Sequence, residues 1–509
     1  MKLKLIIPLK NKDRNERDIF DFKFSSAFLG HDGGLWGLPL AAPTIAGITP
    51  RDVDIQIIDE NIEDINFNDP VDLVGITCMT LQATRAYEIA KEFRKRGVKV
   101  IIGGVHPSLL PEESLKHADS IVIGEAEDIW EEVIKDFKAG NLKKTYEAKE
   151  KPDITNRPFP RRDLLKDEKY LSNLIQASRG CPFDCDFCTV RKFLGGQMRM
   201  KSIDSVVSEI VDMYEHYVHN PHLKQLFITD DNIVGVPKYS RELFQALVPI
   251  NNKYNISGWT CQASVTVINN EENLELMYKA GCRKIFIGFE SLTIEGLSDH
   301  SKSGVNKVEE YGKVISKIRE YDMDVVGSFI LGSDSDDLSC FKRLRDFIEE
   351  NNLILNLINI LVPFPGTRLY ERLEKDGRIL TKDWRQYDMK HVVFKPKNMT
   401  PDELRDGYIW VNQEIYSLPA IYKKIVETTK AGKNLNTIPL KWRLILAGRL
   451  MSYMFSDGMR RAGFIFNVLP YILSSKYDIK VGKIINGLDS NDFAHKLPKR
   501  KTIVNFNKY

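Results

Sequence analysis

The sequence predicts an α/β protein with two parallel sheets, followed by a mostly helical carboxyl-terminal region. Up to about residue 395, short apolar strand segments alternate with amphipathic helical segments. Beyond that point, apolar residues recur only at helical spacing. Strands that alternate with helices form parallel sheets covered on both faces. A chain of 509 residues is long enough for two to four domains, each with its own core.

Residues 1–145 are predicted to form a doubly wound parallel sheet. Five strands are expected at 3–8, 53–59, 73–78, 98–103 and 120–123, and helices are expected near 82–96, 112–117 and 127–138. In open α/β sheets, ligands bind along the edge formed by the carboxyl ends of the strands. The polar and glycine residues that follow these strands are therefore candidate cofactor contacts: Thr77, Gly103, Gly104, Gly124 and Glu125.

Residues 146–170 are charged and rich in proline, and are predicted to be a linker to a second α/β domain over 171–395. Six strands separated by longer helices are expected there, at 174–178, 225–229, 257–263, 284–289, 325–331 and 357–362. In barrels built from such strand-helix units, the catalytic and ligand-binding residues lie at the carboxyl ends of the strands. The candidates at those ends are Asp230, Gln262, Ser264, Glu290 and Gly332. The alternative is that these residues cap helices or orient loops, since Asp and Ser are preferred at helix starts.

Three of the seven cysteines form a tight triplet, Cys181, Cys185 and Cys188, in the run Ser-Arg-Gly-Cys-Pro-Phe-Asp-Cys-Asp-Phe-Cys-Thr. This spacing lets one short loop present three thiolates to a single metal centre, one fewer than a closed four-cysteine cluster requires. An iron-sulfur cube held this way keeps one iron open to a small molecule. The alternative is a zinc site with Cys261 or Cys282 as fourth ligand, although zinc knuckles usually come as two close pairs. Nothing indicates a disulfide framework, so a reducing compartment is expected.

The triplet, with Phe187 before its last cysteine, resembles the signature of the radical S-adenosylmethionine (SAM) superfamily. The resemblance implies a [4Fe-4S] cluster, SAM bound at the open iron, a 5′-deoxyadenosyl radical, and a flavodoxin- or ferredoxin-type electron donor. It also implies that the six strand-helix units form a partial (β/α)6 barrel. Glu290 would then accept hydrogen bonds from the SAM amino group or ribose. Similar contacts with SAM would come from Gln262, Ser264 and Asp230, and from the backbone near Gly332.

The first domain resembles the cobalamin-binding domain of the B12-dependent branch of that superfamily. The similar segments are Gly-Ile-Thr-Cys-Met-Thr (75–80), Gly-Gly-Val-His-Pro (103–107) and Gly-Glu-Ala-Glu (124–127). The resemblance implies bound cobalamin. The D-x-H-x-x-G motif, which supplies histidine to cobalt in other B12 proteins, is absent, which favours cobalt without a lower histidine ligand. The alternative is a sheet that only docks the barrel.

Residues 396–509 are predicted to be a helical, basic domain, because 18 Lys and Arg stand against nine Asp and Glu over 401–509. Aromatic side chains are interleaved with the basic ones. The region resembles the domain after the barrel in hopanoid methylases and tetraether-lipid ring synthases, and its composition suits anionic lipid headgroups. The alternative is a helical cap with an ordinary solvated face.

These resemblances predict a cobalamin-dependent radical SAM C-methyltransferase acting on an unactivated carbon of an apolar substrate, a hopanoid- or isoprenoid-like lipid. One alternative is carbon-carbon bond or ring formation on a lipid or a tetrapyrrole without methyl transfer. Another is an iron-sulfur or corrinoid carrier without catalysis. No signal peptide and no apolar stretch of about 18 residues is found. A cytoplasmic enzyme with peripheral contact to the inner face of the membrane is therefore expected, without a nucleic-acid partner.

Overall fold

A computed structural model describes residues 1–9, 39–166, 170, 172–217, 226–256, 258–416 and 420. Within these ranges the chain forms two six-stranded sheets, and every strand pairing inside them is parallel. The predicted fold class, an α/β chain with two parallel sheets, is confirmed.

The first sheet has the strand order β2-β1-β3-β4-β5-β6. Its strands are β1 (Lys2–Ile7), β2 (Asp54–Asp59), β3 (Leu73–Thr77), β4 (Lys99–Gly103), β5 (Ser120–Ile123) and β6 (Thr145–Glu147). Its helices are α1 (Ala41–Ile48), α2 (Ala83–Lys95), α3 (Val105–Leu109), α4 (Pro111–His117) and α5 (Trp130–Lys138). Strand β6 lies partly in the predicted linker, so the sheet extends two residues past the expected boundary at 145.

Alternate residues of the first sheet enter two different cores. Leu5 packs with Trp130 and Val133 of α5 on one face. Its neighbour Ile6 packs with Phe93 of α2 on the other. Successive side chains of a strand point to opposite faces, so an unbroken apolar run is what a sheet covered by helices on both sides requires.

The second sheet has the order β14-β13-β12-β11-β10-β7. Its strands are β7 (Asn173–Ile175), β10 (Leu226–Ile228), β11 (Trp259–Ala263), β12 (Cys282–Glu290), β13 (Asp324–Leu331) and β14 (Leu355–Ile360). The helices of this part are α6 (Val190–Leu194), α7 (Ile203–Asp212), α8 (Pro237–Tyr254), α9 (Glu271–Lys279), α10 (Ile294–Asp299), α11 (Tyr311–Glu320), α12 (Ser339–Glu350) and α13 (Arg368–Lys375). The six predicted strands correspond one to one with these strands.

A short antiparallel hairpin interrupts the parallel pattern directly before the cysteines. It pairs β8 (Ser178–Arg179) with β9 (Arg199–Met200). Asp230, at the end of β10, fixes this hairpin because its two carboxylate oxygens accept hydrogen bonds from the Ala177 amide (2.7 Å) and the Ser178 hydroxyl (2.5 Å). The cysteines therefore start from an anchored backbone.

The predicted linker is tied to the second domain by a buried ion pair. Arg162 Nη2 lies 2.6 Å from Glu209 Oε1 of α7, and both side chains are almost wholly inaccessible. Although burial opposes ionisation, Lys201 and Arg162 lower the pKa of Glu209. If the linker moved, Arg162 would leave the buried charge of Glu209 without this partner, which is costly. The ion pair therefore holds this part of the linker in place.

The described chain closes with α14 (Pro401–Ile415), the beginning of the predicted helical carboxyl-terminal domain. Thr400 and Glu403 form a reciprocal capping box at its start. Helix α14 packs against α12, and the Tyr416 hydroxyl donates to the Asn356 carbonyl of β14 at 2.9 Å. Residues 421–509 lie outside the described residues. No helix within the described ranges is long and apolar enough to cross a bilayer.

We expect Gly104→Ala to destabilise the first domain more than Gly97→Ala does. Both glycines have positive φ (77° for Gly97 and 101° for Gly104), and a left-handed conformation costs another residue about 1 kcal/mol. Gly104 also has ψ −165°, in a region that essentially only glycine adopts, so its substitution carries a conformational cost of about 1–3 kcal/mol. A Cβ at Gly104 would also lie 2.9 Å from the Cys78 carbonyl oxygen, whereas no atom lies within 4 Å at Gly97. This crowding adds about 1–2 kcal/mol. Equal shifts of the two variants in urea unfolding would contradict the reasoning.

Candidate functional site

The cysteine loop, residues 181–188, leaves the barrel edge directly after β8. Its three thiols are partly exposed. The Cys181 amide donates to the Gly195 carbonyl at 3.4 Å, and the Cys188 amide donates to the Cys185 carbonyl at 3.3 Å. Gly180 enters the loop at φ +96°, and a Cβ there would lie 2.6 Å from the Gln197 carbonyl oxygen. A glycine is therefore required before the first cysteine.

Burial raises the pKa of all three thiols, to about 11 for Cys185 and about 12 for Cys188. Each of these two values is raised further by neighbouring cysteines, so the thiolates are close enough to repel one another. The Lys302 ammonium opposes this effect at Cys185. A cationic iron-sulfur centre would offset the repulsion between three thiolates in one loop. Its binding would release the protons of the three thiols.

The zinc alternative is not supported by the positions of its proposed fourth ligands. Cys261 and Cys282 are wholly buried in the barrel core, and the Cys282 thiol donates to the Lys284 carbonyl at 3.6 Å. In a tetrahedral zinc site, the sulfur of the fourth cysteine would have to lie about 3.8 Å from each sulfur of the triplet. Among the described residues, no group of three or more His, Cys, Asp or Glu side chains is arranged to hold a single metal ion.

Glu290 ends β12 beside the cysteine loop. Its Oε1 lies 3.1 Å from Lys302 Nζ, and its backbone has φ +64°. A Cβ at Gly288 would collide with the same carboxylate. Although burial opposes the shift, Glu290, Cys185 and Cys181 raise the pKa of Lys302. Glu290 and Lys302 thus form a charged pair within electrostatic reach of the cysteines. The ammonium group of a zwitterionic amino acid could bind Glu290 there, and its carboxylate could bind Lys302.

The other predicted barrel residues have varied surroundings. The Ser264 amide donates to Asn232 Oδ1 at 3.1 Å, and its hydroxyl lies 2.6 Å from that of Thr266. The Gln262 carbonyl accepts from the Ile233 amide at 3.0 Å. The carboxylate of Asp230 holds the β8 hairpin, which matches the loop-orienting alternative. Burial raises its pKa to about 6.

Gly332 has a packing reason for being glycine. It has φ +101°, and its amide donates to Asp336 Oδ2 at 3.0 Å. A Cβ there would lie 2.8 Å from Leu404 Cδ2 of α14. The close approach at this position is therefore made by α14.

A cavity of about 410 Å³ separates the first sheet from the cysteine hairpin. All five predicted sheet residues line it: Thr77, Gly103, Gly104, Gly124 and Glu125. The opposite wall includes Thr189, Val190, Phe193 and Leu194, which follow the last cysteine directly, and Asp231. Gly124 has φ +80° and no atom within 4 Å of a Cβ position, so the floor at this point is open. The residues that directly follow the last cysteine thus face the predicted cobalamin edge across one cavity. The predicted cluster and SAM residues are not among the described residues that line it: Cys181, Cys185, Cys188, Asp230, Gln262, Ser264, Glu290 and Gly332.

Three cavity residues were missed by sequence reasoning: Arg179, Glu127 and Asp231. Arg179 Nη1 lies 2.7 Å from Glu125 Oε2 and also bonds Glu127. Glu125 Oε1 accepts a second bond from Arg199 Nη2 at 2.7 Å. Two features of the sequence could have pointed to these residues: Arg179 stands next to the cysteine loop, and Gly-Glu-Ala-Glu contains two nearby carboxylates. Sequence alone does not show that the arginine and the carboxylates meet.

Asp231 is a half-buried residue that lines the cavity, and its charge raises the pKa of Cys181 and of Cys188. Burial raises its pKa to about 6, with Asp230 contributing further. Its Oδ2 has no hydrogen-bond partner among the described residues. Such an oxygen is suited to a ligand with a hydrogen-bond donor.

His106, the histidine of the segment 103–107, does not line the cavity. It is fully buried, its Nε2 lies 2.9 Å from the Tyr87 hydroxyl, and its ring meets Trp384 edge-on at 5.4 Å. His106 is thus a buried residue of helix α3 whose side chain bonds another side chain, and it is not a loop residue bonded to the backbone. No histidine is among the described residues that line the cavity. His31 belongs to the run His-Asp-Gly-Gly at 31–34, whose order differs from that of the cobalt-ligating D-x-H-x-x-G motif, and it lies outside the described residues.

Sequence profiles of known families match three parts of the chain. The radical SAM superfamily matches residues 175–348 and the B12 binding domain matches residues 24–134. A domain of unknown function, DUF4070, matches residues 367–464.

Curated relatives match across most of the chain. The bacteriochlorophyllide d C-12(1)-methyltransferase of Chlorobaculum tepidum is 34% identical over 415 residues, covering 80% of this chain and 88% of the relative. The C-8(2)-methyltransferase of the same organism is 29% identical over 433 residues, covering 83% and 95%. The hopanoid C-2 methylase of Rhodopseudomonas palustris is 27% identical over 362 residues, covering 70% and 68%.

Two solved structures share the fold. OxsB, a cobalamin-dependent SAM radical enzyme solved with aqua-cobalamin and SAM, has a TM-score of 0.63 at 14% identity, covering 93% of this chain and 76% of its own. The radical SAM methyltransferase TsrM of Kitasatospora setae, with tryptophan and a SAM analogue, has a TM-score of 0.60 at 16% identity, covering 75% and 77%.

The matches to the radical SAM and B12 binding families and to the curated relatives define a cobalamin-dependent radical SAM enzyme. The chain belongs to the cobalamin-dependent radical SAM methyltransferases. It works with a [4Fe-4S] cluster, SAM and cobalamin, as predicted.

The raised thiol pKa values predict slow alkylation of the metal-free protein at neutral pH. A thiol with a raised pKa stays protonated, so its alkylation rate should keep rising about tenfold per pH unit above pH 9, to about pH 11 at Cys185. Peptide mass spectrometry with iodoacetamide measures each cysteine separately. The urea-unfolded chain is the control and should level off near pH 9. Levelling of folded Cys185 at or below pH 9 would contradict the prediction.

Proposed function

We propose that this enzyme transfers a methyl group to an unactivated sp3 carbon of a large, apolar, ring-bearing molecule at the cavity between its two sheets. The supporting observation is that the glycine-rich edge of the first sheet and the helix following the cysteines line the same cavity. Reacting groups must be held within a few ångströms of one another, and a shared cavity permits this.

At the barrel wall, Cys181, Cys185 and Cys188 are the proposed ligands of the cluster. SAM at the open iron supplies the radical chemistry. Glu290 and Lys302 offer a carboxylate and an ammonium group to the amino and carboxylate groups of its methionine part. Both side chains are largely buried, which strengthens their charge-assisted hydrogen bonds.

At the sheet wall, Thr77, Gly103, Gly104 and Gly124 are the proposed cobalamin contacts, and cobalamin carries the methyl group. The glycines let backbone amides approach the corrin closely. Glu125 has a different proposed role, since both of its oxygens are engaged by arginines from the barrel side. It fixes the sheet wall relative to the cluster wall.

For the substrate, we propose a polycyclic or isoprenoid lipid, as the similarity to the hopanoid methylases suggests. The second candidate is methylation of a tetrapyrrole side chain. It is favoured by the higher identity and wider coverage of the two bacteriochlorophyllide d methyltransferases. Both candidates need the same cofactors and a large apolar binding surface, and they differ in product.

We further propose a flavodoxin- or ferredoxin-type electron donor. We also propose peripheral contact of the basic region 401–509 with anionic membranes, which would bring the enzyme to a lipid substrate. This second proposal rests on composition, and most of that region lies outside the described residues. The proposed domain limits are 1–147, a linker to 170, 171–395 and 396–509.

We expect Cys185→Ala to abolish cluster binding. Anaerobically reconstituted wild-type protein should hold about four irons per chain, as a cubane cluster requires. The variant loses one of three ligands and should lose nearly all iron. Cys340→Ala, at a buried cysteine of α12 outside the loop, is the matched control and should keep wild-type iron content. Unchanged iron in Cys185→Ala would refute the ligand assignment.

We expect expression in a host lacking this protein to add a CH2 unit to one apolar metabolite. High-resolution mass spectrometry of extracted lipids and pigments separates the candidates. A methylated polycyclic lipid supports the first and a methylated tetrapyrrole supports the second. Loss of two hydrogens without added carbon would instead indicate cyclisation. Glu290→Gln is the comparison strain and should reduce the product at least tenfold, since it loses a charged hydrogen bond.

Full-length protein should float with liposomes containing anionic phospholipid at low salt, and not with neutral liposomes. Screening weakens attraction between exposed charges, so binding should fall as salt rises from 0.05 M to 0.5 M. Equal binding to neutral and anionic vesicles would contradict electrostatic docking.

A further inference from the structure

The segment matched by the domain of unknown function begins at residue 367, and its first helix, α13, contacts the cysteine loop. The Leu369 amide donates to the Asp186 carbonyl at 3.1 Å. Arg368 donates to the Asp184 carboxylate and to the Asp184 carbonyl, both at 2.6 Å. Arg372 Nη2 lies 3.5 Å from Asp186 Oδ2. Both chain neighbours of Cys185 are therefore held by one helix.

The start of α13 is built so that it can make these contacts. Thr367 caps the helix by accepting from the Tyr370 amide at 3.2 Å. The amides of a first helical turn have no partner within the helix. The carbonyl of Asp186 satisfies one of them, at Leu369. Arg368 and Arg372 are four residues apart and therefore share one face.

The loop is also held from its other side. The Asp186 amide donates to the His300 carbonyl at 3.4 Å, and the Phe187 ring meets the His300 ring edge-on at 5.2 Å. Behind α13, Arg372 pairs with Asp334, which also accepts from Arg378 Nη2 at 2.7 Å. The arginine that reaches the loop is thus itself fixed by the barrel.

We propose that the segment from Arg368 to Arg372 of α13 is a clamp that holds the cysteine loop in the conformation that binds the cluster. This gives the described beginning of the domain of unknown function a role in cluster retention. The inference rests on the proposed cluster ligands. Arg372 and Arg368 are positioning residues, because they act on the cysteines through Asp186 and Asp184.

The two ion pairs differ in their surroundings. Asp184 and Arg368 are each about half exposed, with relative accessibilities of 51% and 52%. The Asp186 side chain is 9% accessible and that of Arg372 is 39%. Exposed pairs contribute little, whereas removing the partner of a buried carboxylate costs more. Arg372 should therefore matter more than Arg368.

The test measures iron release from the anaerobic holoprotein to a ferrous chelator. Arg372→Gln should release iron about tenfold faster than wild type, since it loses its ion pairs with Asp186 and with Asp334, and Arg368→Gln about twofold faster. Arg372→Lys keeps the charge and should lie between Arg372→Gln and wild type. Arg385→Gln is the control, because Arg385 pairs with Asp383 at 2.7 Å in the same segment, away from the loop.

A second readout separates the clamp from general loss of stability. The arginines add positive charge beside the thiolate-bound cluster, so Arg372→Gln should shift its reduction potential to a lower value. Arg385→Gln should leave the potential unchanged. Asp184→Arg and Arg368→Asp should each speed iron release, and the double variant should restore slower release if the two side chains pair directly. These exposed positions tolerate substitution even if Arg372→Gln fails to fold.

Wild-type protein that never takes up about four irons would refute the proposed cluster site itself. If Arg372→Gln takes up the full iron content and releases it at the wild-type rate, the clamp is refuted, whereas the proposed cluster site is not. Absence of any restoration in the exchanged pair would also overturn it. Faster release, partial rescue by lysine and a lowered potential together would support it.

Discussion

The bonds between Arg179 and the carboxylates of Glu125 and Glu127 are the contact on which the site depends. Arg179 ends β8, immediately before the cysteine loop, and both carboxylates follow β5 of the first sheet. Arg199, on the partner strand β9, binds Glu125 as well. Both strands of the hairpin are therefore joined to the sheet edge. Although burial opposes ionisation, Glu127 and Glu125 raise the pKa of Arg179, so this arginine remains charged.

This arrangement explains how two separate domains can line one cavity. Each parallel sheet presents polar and glycine residues at the carboxyl ends of its strands, as open and barrel-like α/β folds do. The ion pairs bring one such edge against the other, and the hairpin places the cysteines at their junction. A second contact lies at Glu113, whose Oε1 accepts from Trp384 Nε1 at 2.8 Å. Together these contacts limit rotation of the first domain on the barrel.

Much of this architecture could be predicted from local sequence pattern. The strands of both sheets, the cysteine triplet and the glycine edge all leave short-range signals, and Thr77, Gly103 and Gly124 do line one cavity. The small elements α1, α3 and β6 were missed because five to eight residues, or three in the strand, carry too little periodicity. Asp230 and Gly332 were predicted at the correct strand ends, but their partners Ser178 and Leu404 are distant in sequence. Such pairings, like those of Arg179 and Arg372, depend on tertiary structure.

The two-sided construction of the cavity has a consequence for how the enzyme must be assembled in the cell. Each half of the polypeptide supplies one wall of this cavity, so neither half encloses it alone. If the gene were split between the two sheets, each product would expose its wall of the cavity to solvent, and neither would be a smaller working enzyme. With the corrinoid in the cavity, as proposed above, its insertion has to take place before the halves close or through an opening that persists afterwards. The order of cofactor loading would then be a property of the fold.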